Sequence, residues 1–208
     1  MIGVAAAADT RTLRRRRRED VRSDVIAAMT RLVETAPYRD LTVDEIARSA
    51  GLSRSAFYFY FRDKQDLLMA AAAELTDELY GEADRWWHGE GDPATLVREA
   101  LTGVASVYAR HAGLLGVAVE VSTYDDEVRV FWRALIERFI DATADHLARE
   151  QAAGRLPDVE PRAAAESLVW MAERICWVYL RDGERSVEEV VDQLCATWMA
   201  ALYPAARP

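Results

Sequence analysis

Lysine is almost missing from this chain: Lys64 stands alone beside 25 arginines. The arginine excess reads mainly as codon bias. Glycine and proline are also sparse, at 10 and 6 of 208 residues, while Ala, Leu, Glu and Arg dominate. That mix disfavours loops and sheets and favours helices. No stretch approaches the roughly 20 apolar residues that a membrane span needs. The two cysteines, Cys176 and Cys195, form no CxxC pair and fall on apolar helix faces, so buried reduced thiols are expected. The three histidines, His88, His111 and His146, are scattered, and none stands in an HExxH motif or at metal-ligand spacing to a cysteine. Gly89-Glu90-Gly91 is too short for a nucleotide loop. No metal, no cofactor and no catalytic residue is therefore expected. The N-terminus runs apolar first (Met1 to Ala8) and basic second (Arg14 to Arg18), the reverse of a secretory signal, and a cytoplasmic location is expected.

Charge is divided unevenly along the chain. The net charge is −9. Residues 1–64 carry 13 Lys+Arg against 9 Asp+Glu, or +4, and residues 65–208 carry 13 against 26, or −13. An acidic protein is on average repelled by phosphates. At a Debye length of about 8–10 Å, however, the local positive field of the first third matters more than the total.

Hydrophobic periodicity predicts an all-α protein of about nine helices with no strand and no internal repeat. Residues 1–18 read as a disordered basic arm, either a solubilising tail or a reach toward phosphates or a minor groove. A helix follows from Glu19 to Thr35, stopped by Pro37. Thr42-x-x-Glu45 is a capping box, Gly51 supplies a tight turn, and Ser53 caps a third helix expected to run through Phe61. Asp63 caps a long fourth helix, Lys64 to about Trp87. After the break at 88–93, helices are expected from Pro93 to Arg110, His111 to Val121, Asp125 to Glu150 and Pro161 to Arg181. A second capping box, Ser186-x-x-Glu189, opens the last helix. The domains read as the arm (1–18), a helix-turn-helix unit (19–66) and a larger helical unit (67–208).

The segment Thr42 to Lys64 carries the functional signal. A groove-reading helix must be held by a partner helix, present small or polar side chains on its first turn, and offer phosphate donors at its flanks. Phe57 and Phe61, four apart, can anchor the third helix. Arg54, Ser55 and Ala56 then fall on its exposed first turn, beside the Ser53 cap. Arg54 has the fork for a bidentate contact to guanine, worth about 1–3 kcal/mol of discrimination, and Ala56 is small enough to approach a thymine methyl. Tyr58, Tyr60, Thr42 and Lys64 suit phosphate oxygens.

This segment resembles the DNA-binding domain of TetR-family transcriptional regulators. Their pattern is roughly T-x-x-x-I-A-x-x-A-G-(V/L)-S-x-(G/S)-x-x-Y-x-(Y/H)-F-x-x-K-x-x-L, and this chain matches it at Thr42, Ile46, Ala47, Ala50, Gly51, Leu52, Ser53, Ser55, Tyr58, Tyr60, Phe61, Lys64 and Leu67. The strict match covers about residues 20–68. The resemblance implies that Arg54, Ser55 and Ala56 read bases and that Thr42, Tyr58, Tyr60 and Lys64 hold phosphates. It also implies a homodimer on a double-stranded, pseudo-palindromic operator. The run FYFYF, the later MAER and the C-terminal TW…LY look similar to the EthR branch, which binds extended apolar ligands.

The acidic remainder offers candidates for such a ligand site: Val97, Leu101, Val104, Tyr108, Ile136, Phe139, Thr143, Val169, Glu173 and Trp177. For each the alternative is plain core packing. Glu173 shares an apolar face with Val169 and Trp177, four residues away on either side. A carboxylate there needs a partner or a raised pKa. Pairing is expected through the last two helices, Pro161–Arg181 and Val187–Tyr203. On the final helix an apolar stripe (Val187, Val190, Val191, Leu194, Cys195, Trp198, Met199, Leu202) is a candidate contact, with intrachain packing taking part of it. The reading is a repressor released by a small apolar molecule. Its rivals are a ligand-binding helical protein without a DNA role, and an enzyme.

Overall fold

The computed structural model describes residues 3–203, with side chains described from residue 18 onward. Among these residues there are nine α-helices, a single 3₁₀ turn and no strand. The helices are α1 (Gly3–Val33), α2 (Val43–Ser49), α3 (Arg54–Phe57), α4 (Lys64–His88), α5 (Pro93–Arg110), α6 (Ala112–Val121), α7 (Asp126–Ala152), α8 (Pro161–Leu180) and α9 (Val187–Leu202). The chain divides into two compact units, Met1–Ala71 and Ala72–Pro208, so α4 begins in the first and continues in the second. No single helix among the described residues is long and apolar enough to cross a membrane.

In the first unit α1 packs on α2, and α2 on α3. Val25, Ala28 and Met29 of α1, Ile46 and Ala47 of α2, Phe57 of α3 and Leu67 and Leu68 of α4 are all fully buried. Three features differ from the sequence expectation. Part of the expected arm, residues 1–18, lies outside the described residues; from Gly3 the backbone is helical and continuous with α1. The run of alanines and arginines there has high helix propensity. A 3₁₀ turn, Tyr38–Asp40, fills the link before α2 and buries Tyr38. The third helix is also shorter than expected, ending at Phe57. Beyond it the bonds from Phe59 N to Ala56 O (3.2 Å) and from Tyr60 N to Phe57 O (2.9 Å) tighten the chain into turns that continue to Phe61. Bonds of this spacing are common where a helix ends.

In the second unit α7 packs on α8, α5 on α8 and α9, and α8 on α9, with α6 against α5, α7 and α8. Local signals set the helix starts. Asp92, Asp125 and Ser186 each accept a bond from the backbone two or three residues into the helix they open, Thr95 N, Val128 N and Glu189 N respectively. On α9, Val190, Val191, Leu194, Cys195, Trp198 and Leu202 are buried within this chain. The stripe expected at a dimer interface is therefore core in large part. Periodicity marks a buried face without saying what buries it.

Candidate functional site

The first candidate site is the turn between α2 and α3. The Thr42–Glu45 capping box forms in full, with Thr42 Oγ1 donating to Glu45 Oε2 (2.7 Å) and accepting from Glu45 N (3.2 Å). The Thr42 hydroxyl and the Thr42 backbone N–H (2.8 Å), both donating to Glu45 Oε2, hold that carboxyl below its usual pKa, leaving a carboxylate beside the hydroxyl. Gly51 takes φ +70°, the left-handed conformation that lets the chain turn away from α2. Ser53 then starts α3, its Oγ accepting from Ala56 N (3.1 Å) and lying 3.0 Å from Ser55 Oγ.

Phe57 and Phe61 pin this turn from behind, 0% and 1% exposed, with ring centroids 5.7 Å apart. Arg54, Ser55 and Tyr58 are exposed, and Ala56 and Tyr60 are half-buried. The structure thus brings five of the residues expected to meet DNA onto one short surface. The side chains of Thr42 and Ser53 are engaged in caps.

Lys64 is placed differently. Its Nζ donates to the carbonyls of Tyr38 (3.1 Å), Arg39 (3.3 Å) and Leu41 (3.1 Å), and lies 4.6 Å from the Tyr38 ring centroid. Burial pushes its pKa down, against the nearby Asp40 charge. All three donors of the ammonium are engaged, so the lysine ties the start of α4 to the link before α2. Lys64→Met keeps most of the stem and removes the charge. It is expected to lower the stability of the first unit by about 2 kcal/mol. In an operator-binding titration the salt slope should stay nearly unchanged. A fall of roughly 0.9 in that slope, the signature of a lost phosphate contact, would place Lys64 on the DNA instead.

Two arginines complete the unit: Arg22, which the sequence reading passed over, and Arg18, which it left in the basic arm. Arg22 Nη1 donates to Tyr60 O (2.8 Å) and its guanidinium stacks 4.4 Å from the Phe61 ring centroid. Arg18 Nη2 reaches Phe59 O at 3.5 Å. Cations here satisfy carbonyls left open past the end of α3. The available signal was their spacing of four, which puts both on one face of α1. Phe59, 77% exposed, was likewise passed over inside the aromatic run.

The second candidate site is an apolar cavity in the larger unit. The centres of water-sized spheres can range over about 80 Å³ within it, and its mouth is partly open. Its lining includes Leu101, Val104, Tyr108, Ile136, Phe139, Thr143, Val169 and Glu173 from the sequence-predicted set. Val97, fully buried, and Trp177 are not part of the lining. Trp177 is flanked instead by Arg174 and Arg181, whose guanidinium carbons lie 4.8 and 5.8 Å from its ring centroid. The sequence reading missed Leu79, Trp86 and Trp87 of α4 and Leu135 of α7, while Trp132 of α7 and Trp198 of α9, which it counted among aromatic residues able to line a pocket, are also in the lining. Some polar groups in the wall are paired within the protein. Trp87 Nε1 donates to Thr143 Oγ1 (3.1 Å) and Thr76 Oγ1 to Ala72 O (2.8 Å).

A capped helix-turn-helix followed by a helical unit with an apolar cavity defines a ligand-responsive DNA-binding protein. Residues 25–71 match the family described as bacterial regulatory proteins, tetR family, and residues 97–204 match the EthR transcriptional regulator C-terminal domain. The chain is 30% identical over 213 residues to the HTH-type transcriptional regulator EthR of Mycolicibacterium smegmatis, with 96% of each chain covered. It is 28% identical over 188 residues to the regulator of that name from Mycobacterium tuberculosis strain H37Rv, covering 86% of this chain and 85% of the other. Among solved structures, a TetR/AcrR-family regulator from Thermobifida fusca superposes with a TM-score of 0.69 at 24% identity, covering 91% of this chain and all of that one. The protein belongs to the TetR family of transcriptional regulators, with a C-terminal domain of the EthR kind.

Proposed function

We propose that the chain is a cytoplasmic, homodimeric repressor that an apolar small molecule releases from a pseudo-palindromic operator. The observation that carries this reading is the exposed turn Arg54–Ala56, backed by the buried pair Phe57 and Phe61. Arg54, Ser55 and Ala56 read base edges. Tyr58 and Tyr60 hold phosphates, while Thr42, Ser53 and Lys64 fix the geometry. Pairing uses the outward faces of α8 and α9. Val178 (37% exposed) and half-buried Trp170 lie there on α8, with exposed Ala196 and Ala200 on α9.

The cavity ligand acts through α4, whose later turns line the cavity and whose first turns belong to the DNA-binding unit. Its effect on DNA affinity is limited to its differential affinity for the two dimer states.

The test is protection mapping of DNA upstream of the chain's own gene, which should reveal two half-sites about 34 Å apart or a multiple of that. On the mapped site Arg54→Ala is expected to relax base preference at one position per half-site, by about 1–3 kcal/mol. Unchanged specificity would remove Arg54 from base reading.

A further inference from the structure

One acidic group in the cavity wall is left without a match, as is the indole N–H of Trp198. Glu173 is 4% exposed, and neither carboxylate oxygen has a hydrogen-bond partner. Its nearest cation is Arg174, whose Nε lies 3.6 Å from Oε2. That guanidinium also stacks on Trp177, and its side chain is 52% exposed. The pairing is too long for a hydrogen bond and leaves Oε1 with nothing. The other titratable group of the lining, Tyr108, is fully buried, and burial together with Glu173 holds its phenol protonated.

Trp86, Trp87, Tyr108, Trp132, Phe139 and Trp198 supply the rest of the wall's character. Aromatic rings carry negative charge on their faces and attract cations there. An apolar cavity with one unsatisfied carboxylate and six aromatic rings is matched by an apolar chain bearing a positive head. A ligand without a hydrogen-bond donor leaves Glu173 buried and unsatisfied, and an anionic one brings a second negative charge beside it.

We propose that the cavity binds a hydrophobic amine, its ammonium head bonded to Glu173 and its apolar tail lying among the aromatic side chains. This rests on the cavity being the effector site, and narrows the apolar ligand proposed above to a cationic amphiphile. Burial raises the Glu173 pKa and so favours its neutral form in the empty cavity, and a bound ammonium offsets that burial and draws the carboxyl back to its charged form.

The experiment titrates three ligands of equal chain length, octylamine, octan-1-ol and octanoate, into the full-length protein, followed by calorimetry and tryptophan fluorescence. Octylamine is expected to bind about tenfold more tightly than octan-1-ol, the value of one charge-assisted hydrogen bond, with octanoate weakest. Glu173→Gln should bring amine and alcohol within about threefold of each other while leaving alcohol affinity intact. The wild-type series decides the matter even if that variant fails to fold. Alcohol or carboxylate binding as tightly as the amine would overturn the cationic ligand and leave the apolar cavity standing. An amine preference that survives in Glu173→Gln would also overturn it. Binding of none of the three would overturn both the amine and the cavity as effector site.

Discussion

Phe57→Ala is expected to abolish operator binding while the larger unit stays folded. A helix of four residues has no stability of its own, because nucleation costs more than so few bonds return. What holds α3 in place is the buried ring of Phe57, 5.7 Å from that of Phe61 and 5.5 Å from that of Tyr58. Truncating a buried phenylalanine costs about 3–5 kcal/mol, a large share of what a small unit has. The loss should fall on the Met1–Ala71 unit. Denaturant titration should show an early transition for that unit, with the helical signal of the larger one retained. A folded variant that binds the operator within threefold of wild type would contradict the anchoring role.

Val191→Asp is expected to unfold the larger unit, not to dissociate a dimer. Val191 is 1% exposed, on a face of α9 that packs within its own chain. An aspartate there meets apolar surroundings, a change of several kcal/mol. Soluble, helical monomers with wild-type thermal stability would show that Val191 is not core. The informative probe of pairing is Ala200→Arg, since Ala200 is exposed on the opposite side of α9. It should yield folded monomers by sedimentation, with operator affinity reduced because each monomer meets one half-site.

The DNA-binding unit was legible because its signals are local. The Thr42 and Ser53 caps, the Gly51 turn and the Phe57/Phe61 spacing each involve neighbours within four residues, and all four took their expected form. The role of Lys64 was hidden because its carbonyl partners lie 23 to 26 residues earlier in the chain. Pattern matching gave that lysine to a phosphate, whereas the geometry gives it to the backbone.

The cavity was legible only in part for a related reason. Helical spacing identified apolar faces on α5, α7 and α8, but which face of α4 turns inward depends on tertiary packing. Trp86 and Trp87 were therefore missed. The same ambiguity put Val191 and Trp198 of α9 at a subunit boundary when they belong to the core. Glu173 could be singled out because a lone carboxylate on an apolar stripe is a conflict visible in one dimension.

The solitary lysine has a chemical corollary. In a chain whose other basic side chains are guanidinium groups and imidazoles, acylating reagents have one side-chain amine to attack, and that amine is engaged with three carbonyls. Its acylation rate is thus a single-site clock for transient opening of the link between Tyr38 and Leu41.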